Sequence, residues 1–190
     1  MKHFIFSLVS ILLLISCNNN QKKSSSEISE DSIFNLHSKW QNQNGETIQL
    51  SDLQGKTLVV VMIYTTCKSA CPILVAKMKG IEEKISRKDI DKVSLVLVSI
   101  DPETDTPENL KKFAIKNNMD APQWIFLRST ETATQEFANV LSMKYKRISP
   151  IDFSHSNIIS VFNTKGELIN QEEGNIDINS VAATVNKTVK

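Results

Sequence analysis

Cysteine, glycine, proline and aromatic residues are all scarce in this chain, and so is any excess of charge. Its 190 residues include 3 Cys, 5 Gly and 5 Pro, and 6% of positions are aromatic. So few cysteines cannot form the disulfide framework of a small secreted scaffold. So little glycine and proline argues against a fibrous or repeat architecture. Lys plus Arg is 22 and Asp plus Glu is 21, so no basic field exists to recruit nucleic acid or an anionic surface. What is present, 41% apolar and 23% charged residues, is the composition of a globular domain. The length suits one domain with a real core.

The first residues read as an address. Lys2 gives a short positive start, and Phe4 to Ile15 is almost wholly apolar, interrupted only by Ser7 and Ser10. That length suits a signal-peptide hydrophobic region and falls short of a membrane-spanning helix. The run closes on Leu14-Ile15-Ser16-Cys17, which resembles the bacterial lipoprotein processing box. The resemblance implies cleavage before Cys17 and lipidation of its sulfur; a plain secretory signal with an incidental cysteine is the alternative. Segment 1–17 is thus expected to be a lipoprotein signal, and 18–32, polar and without periodicity, a flexible tether. A coil of that length reaches roughly 20 Å on average and about 50 Å fully stretched. The expected location is the cell envelope, exported and held to a membrane, facing the periplasm in a Gram-negative cell.

Residues 33–190 read as the folded domain. Asn44-Gly45 before Ile48-Gln49-Leu50 signals a small hairpin. Thr57 to Tyr64 and Val93 to Ile100 are continuous β-branched runs, the signature of strands buried on both faces. Between them Leu74, Met78, Ile81 and Ile85 recur at helical spacing, predicting a helix from about Pro72 to Ser86 with a plain core face. Thr106-Pro107 is expected to cap and open a second helix with Leu110, Phe113 and Ala114 inward. Trp124 to Leu127 is a short strand, and Ser129 or Thr130 caps a helix carrying Ala133, Phe137 and Leu141. Asn157 to Phe162, Thr164-Lys165-Gly166 and Glu167 to Ile169 read as a hairpin, and Ile178, Val181, Val185 and Val189 as a closing helix. Strands alternating with helices imply an α/β domain. The order suits a thioredoxin-like fold: a central mixed sheet, helices on both faces and an N-terminal β-hairpin extension.

The chemistry concentrates in Thr65-Thr66-Cys67-Lys68-Ser69-Ala70-Cys71-Pro72. A strand ends here and a helix begins, where free backbone N–H groups and the helix dipole favour thiolate over thiol. Lys68 adds a nearby cation. Three intervening residues set the cysteines about one turn apart, able to close a disulfide or face one soft ion together. Two thiolates are too few for a closed tetrahedral zinc site. Two sulfurs and a nitrogen favour copper, especially Cu(I). His155, in Asp152-Phe153-Ser154-His155-Ser156-Asn157 just before a predicted strand, can supply that nitrogen from a loop; a surface histidine is the alternative. His37 reads as a surface residue. The Cys-x-x-x-Cys-Pro pattern at such a junction points to redox or metal work rather than a buried structural pair.

At this point the residues resemble the Sco/SenC family of copper-binding, thioredoxin-like proteins. The likeness runs from about Phe34 to near the C-terminus. It is carried by Leu50-Ser51-Asp52-Leu53-Gln54-Gly55-Lys56, by Tyr64 through Pro72, by Val98-Ser99-Ile100-Asp101-Pro102-Glu103-Thr104-Asp105-Thr106-Pro107, and by His155-Ser156 with Asn163 through Leu168. The resemblance implies that Cys67, Cys71 and His155 are the metal ligands. It also implies a role in delivering copper to, or reducing the cysteines of, the binuclear copper site of cytochrome c oxidase. Two features depart from the family pattern. Ser154 stands where the family often has an aspartate, with Asp152 further back, and the stretch between Lys144 and His155 is short. Asp101, Glu103 and Asp105 read as structural or partner-facing, acidic loop residues being ordinarily solvated.

Three functions follow as expectations. The first is a membrane-anchored copper metallochaperone acting through Cys67, Cys71 and His155 on a copper-site subunit of cytochrome c oxidase or another envelope copper or thiol protein. The second is a thiol–disulfide oxidoreductase with Cys67 attacking and Cys71 resolving. The third, a thiol peroxidase, needs an arginine beside the cysteine, for which Arg87, Arg128 and Arg147 are candidates by elimination.

Overall fold

Every side chain of Thr57–Ile63 (β3) and Val93–Ser99 (β4) is buried, on both alternating faces, as the two apolar runs demand. In the computed structural model, which describes residues 28–150 and 152–190, these two strands pair in parallel at the centre of a sheet. Trp124–Arg128 (β5) continues the parallel order beside β4. The hairpin of Lys39–Asn42 (β1) and Thr47–Gln49 (β2) closes one edge, with β1 antiparallel to β5. Ile158–Phe162 (β8) and Leu168–Glu173 (β9) close the other. The seven-stranded order is β2-β1-β5-β4-β3-β8-β9, the mixed sheet expected from the sequence.

Among the described residues four α-helices accompany it: Ala70–Lys84 (α1), Pro107–Lys116 (α2), Glu131–Val140 (α3) and Ile178–Thr188 (α4). Thr106 and Thr130 cap α2 and α3 through their side chains, accepting from Asn109 and Ala133 N–H groups, which satisfies one free donor at each helix start. Helix α1 starts at Ala70, two residues before Pro72. A proline is tolerated there because the first turn has no intrahelical acceptor for its missing N–H.

Two departures from expectation matter. Tyr145–Ser149 (β6) and Asp152–His155 (β7) form a separate two-stranded sheet, hereafter the arm. Residue 155 therefore ends a strand rather than lying in a loop. The alternation of β6 is half-buried and exposed, with no buried position, so the hydrophobic pattern that reveals strands is missing. Strand β9 also runs on through polar Asn170 to Glu173, being an edge strand with much of its surface in water.

The signal segment 1–17 with Cys17, and the tether as far as residue 27, lie outside the described residues. Residues 29–32 rest on the domain: Asn35 Nδ2 donates to the Ser29 and Glu30 carbonyls, at 2.8 and 3.1 Å, and Ser32 is buried. Gly166, at φ +79, lets this segment close in. A Cβ there would lie 2.5 Å from Ser32 Oγ and 2.7 Å from the Phe34 ring. Among the described residues no helix is long and apolar enough to cross a membrane.

Candidate metal centre

The centre is built where β3 stops and α1 starts. After Ile63 the chain turns, with the Cys67 N–H donating to the Tyr64 carbonyl at 3.3 Å. Ser69 is the residue before the helix, but its side chain makes no capping bond. Cys67 Sγ takes that place, accepting from the Cys71 N–H at 3.3 Å. A sulfur that accepts at a helix start is stabilised as an anion.

The two cysteines are electrostatically unlike. Burial works against ionisation of Cys67. It is outweighed by hydrogen bonds from the Cys71 thiol and from the Cys71 and Ser69 backbone N–H groups. Cys67 is held down at about 6, against an ordinary 9.0. Cys71 is 1% exposed. Burial first, and then the adjacent Cys67 sulfur, push its thiol well up, although the Tyr64 backbone draws it partly back. Both are free thiols.

His155 arrives on β7, 84 positions along the chain from Cys71, and sets Nε2 3.7 Å from Cys71 Sγ. Its Nδ1 lies 3.1 Å from the Ser156 carbonyl. A carbonyl only accepts, so Nδ1 carries a proton and Nε2 is the ring nitrogen turned toward the sulfurs. The Tyr64 ring meets the imidazole edge-on at 6.0 Å. The three ligand atoms lie within 4.8 Å of one another. A trigonal ion with bonds of about 2.0–2.3 Å wants donors roughly 3.5–4 Å apart, so a small contraction closes the set. Two thiolates and one imidazole suit a soft ion of low coordination number, and among the described residues no other group of this kind occurs.

Asp152, three residues before the histidine, is engaged elsewhere. Asp152 accepts from the Tyr64 hydroxyl, and the Phe153 N–H donates to the same hydroxyl oxygen at 3.3 Å. Burial, then Asp152, pushes the Tyr64 phenol up. The histidine is oriented by a backbone carbonyl instead, as ligating imidazoles often are.

In the acidic loop two of the three carboxylates take the structural role read for them, buried rather than solvated. Asp101 and Asp105 are buried, 1% and 0% exposed. Asp105 accepts from the Thr65 N–H at 3.2 Å, and from the hydroxyls of Thr65 and Ser99 at 2.5 and 2.6 Å. These carboxylates are not solvated because each has dedicated donors that replace water. No one-dimensional signal exposes the pairings with Thr65 and Arg147, which lie 40 and 46 positions from their carboxylates.

His37 is exposed and stands outside the metal group. Arg87 is exposed, just beyond the far end of α1, about 20 Å from the cysteines by helix length. Arg128 donates to the Pro102 carbonyl and Gln41, and Arg147 pairs with Asp101 and Glu103. These arginine contacts are made away from either sulfur, so the geometry gives the peroxidase expectation no support.

The sequence matches the pattern of the SCO1/SenC family over residues 27–190. A SCO1 protein homolog of Bacillus subtilis (strain 168) is 35% identical over 100 residues, 52% of this chain and 51% of that protein. The chain thus spans about half the length of that curated relative. The solved structure of Arabidopsis thaliana ScoI with copper bound superposes with a TM-score of 0.70 at 20% identity, covering 80% of this chain and 94% of that one. BsSco, a member of the Sco family of cytochrome c oxidase assembly proteins in which a disulfide switch is identified, gives 0.69 at 25% identity, covering 80% and 90%. With its pattern matched across nearly the whole described domain, the chain belongs to the SCO1/SenC family.

Proposed function

We propose that this protein is a copper carrier of the cell envelope. Cys67, Cys71 and His155 hold the ion as cargo and pass it by ligand exchange to the binuclear copper site of cytochrome c oxidase. The observation that carries the reading is the convergence of two sulfurs and an imidazole nitrogen within 4.8 Å. That donor set prefers Cu(I) to hard ions. It also leaves the ion low-coordinate, so an incoming thiolate can bind before an outgoing one departs. Copper in the ScoI structure and the oxidase-assembly role of BsSco's family support the assignment. In this reading Cys17, lipidated, tethers the domain above a membrane surface.

The test is competitive Cu(I) titration of the reduced chain against a chromophoric chelator. The wild type binds one copper. His155→Ala weakens binding at least tenfold, since even the outer partners of metal ligands cost about 10–100-fold, and Cys67→Ser or Cys71→Ser removes tight binding. Wild-type binding no tighter than that of the cysteine variants would end the reading.

A second reading has its own observation, the opposed shifts of the two thiols. Cys67 thiolate attacks one sulfur of a partner disulfide, and the other partner sulfur leaves as thiolate. Cys71, losing its proton to solvent or to that thiolate, then attacks Cys67 and frees the reduced partner. The domain ends oxidised and the partner carries both electrons. Disulfide reduction that survives His155→Ala and is lost in Cys67→Ser supports this activity. A domain that cannot cycle between dithiol and disulfide rules it out.

A further inference from the structure

The arm that carries His155 has no strand ladder to the seven-stranded sheet. Its place is set largely by side chains. Arg147 on β6 sits directly across from Phe153 on β7, and Tyr145 across from His155 itself. The Arg147 guanidinium lies over the Phe153 ring at 4.5 Å, and its Nη1 donates to the Pro150 carbonyl at 3.1 Å. Its Nη2 leaves the arm altogether. It reaches Asp101 Oδ1 at 3.2 Å and Glu103 Oε2 at 3.5 Å. The Asp101 side chain is 1% exposed and that of Glu103 72%. The pair with Asp101 therefore outweighs the other, because solvent screens an exposed partner and an unpaired buried carboxylate is costly.

The loop that receives Arg147 also holds the other half of the centre. The Asp105 N–H donates to the Asp101 carbonyl at 2.9 Å, folding residues 101–105 into a closed turn. From that turn the Asp105 carboxylate takes the Thr65 N–H and hydroxyl, two residues before Cys67. One turn, with both its aspartates buried, thus touches both the segment entering the cysteines and the arm bearing the histidine.

We infer that the Asp101–Asp105 turn is the bracket that sets the distance between His155 and the cysteines, with Arg147 as the positioning residue that keeps the arm docked on it. The inference rests on the copper reading above. Without the Arg147 pair the arm has lost its ion-pair tie to the turn, and docking it buries Asp101 uncompensated. His155 then spends less time beside Cys71, while the cysteines keep their own geometry.

The test compares Arg147→Gln, Asp101→Asn, His155→Ala and the Arg147→Gln/His155→Ala double variant in the full reduced chain. Lys112→Gln, at an exposed ion pair on α2, controls for loss of one charge. Copper affinity, nitrogen hyperfine coupling in the Cu(II) spectrum, and hydrogen exchange of residues 145–155 in metal-free protein are read. Arg147→Gln is expected to lower affinity by about 10–100-fold, to weaken the nitrogen coupling, and to speed exchange in the arm but not in β3 or β4. Asp101→Asn shifts all three the same way. In the His155→Ala background Arg147→Gln adds nothing, because the two losses are one loss. Wild-type affinity and exchange in Arg147→Gln, or a full additive loss in the double variant, would overturn the inference. If the wild type binds no copper, the copper reading itself fails, and arm exchange in the metal-free protein still decides whether Arg147 holds the arm.

Discussion

Cys67 and Cys71 are the same residue in one turn of chain, yet their surroundings drive them in opposite directions. Cys67 collects hydrogen bonds at a helix start; Cys71 is sealed beneath it. A thiolate alkylates and a thiol does not. Cys67 is therefore expected to react with iodoacetamide in metal-free, reduced protein at a rate that rises with pH through about 6 and levels by neutral pH. Below that midpoint the protonated form dominates and the rate falls. Cys71 stays unmodified across the same range. Mass spectrometry of the alkylated peptides reads both; a Cys67 profile still climbing at pH 8 would contradict the assignment. The two cysteines of the candidate centre are legible in the sequence because cysteine is scarce and the pair falls at a strand-to-helix junction. Their supports are not. Asp105 looks like any acidic loop residue until Thr65 and Ser99 are seen to donate to it, and Tyr64 gives no hint that its hydroxyl will donate to Asp152.

The central strands and all four helices were readable from hydrophobic pattern and caps. Thr57–Ile63 and Val93–Ser99 are apolar on both faces, and Thr106-Pro107 is a helix start by chemistry alone. The arm was not readable. Its strands are short and largely exposed, and are held by Arg147, Phe153 and Asp152 acting on distant partners rather than by a buried face. Sequence periodicity reports burial, and an element with little burial leaves little trace. The turn between β8 and β9 shows the opposite case, a single residue fixing how two elements meet. Gly166 combines a left-handed backbone with contact against Ser32 and Phe34. Gly166→Ala is expected to destabilise the fold by about 1–3 kcal/mol or more, from backbone strain plus the clash, measured by urea unfolding. A loss of a few tenths would show that the N-terminal segment yields without consequence.

At the scale of the molecule, the proposed work requires a domain held near a membrane and a site assembled from two remote parts of the chain. The first requirement rests on Cys17. Cys17→Ser is expected to move the protein from the membrane to the soluble fraction of the cell envelope, and a variant as membrane-bound as the wild type would remove the lipid from the account. The second requirement is tertiary. Cys67 and Cys71 come from the β3–α1 junction, whereas His155 comes from the arm, so only the folded chain offers all three atoms to one ion. X-ray absorption on the reduced, copper-loaded full chain tests this most directly, because it counts the atoms around the metal. The account predicts two sulfur neighbours and one imidazole nitrogen, with the nitrogen lost in His155→Ala. A shell of nitrogen and oxygen alone, or one unchanged by that substitution, would contradict it.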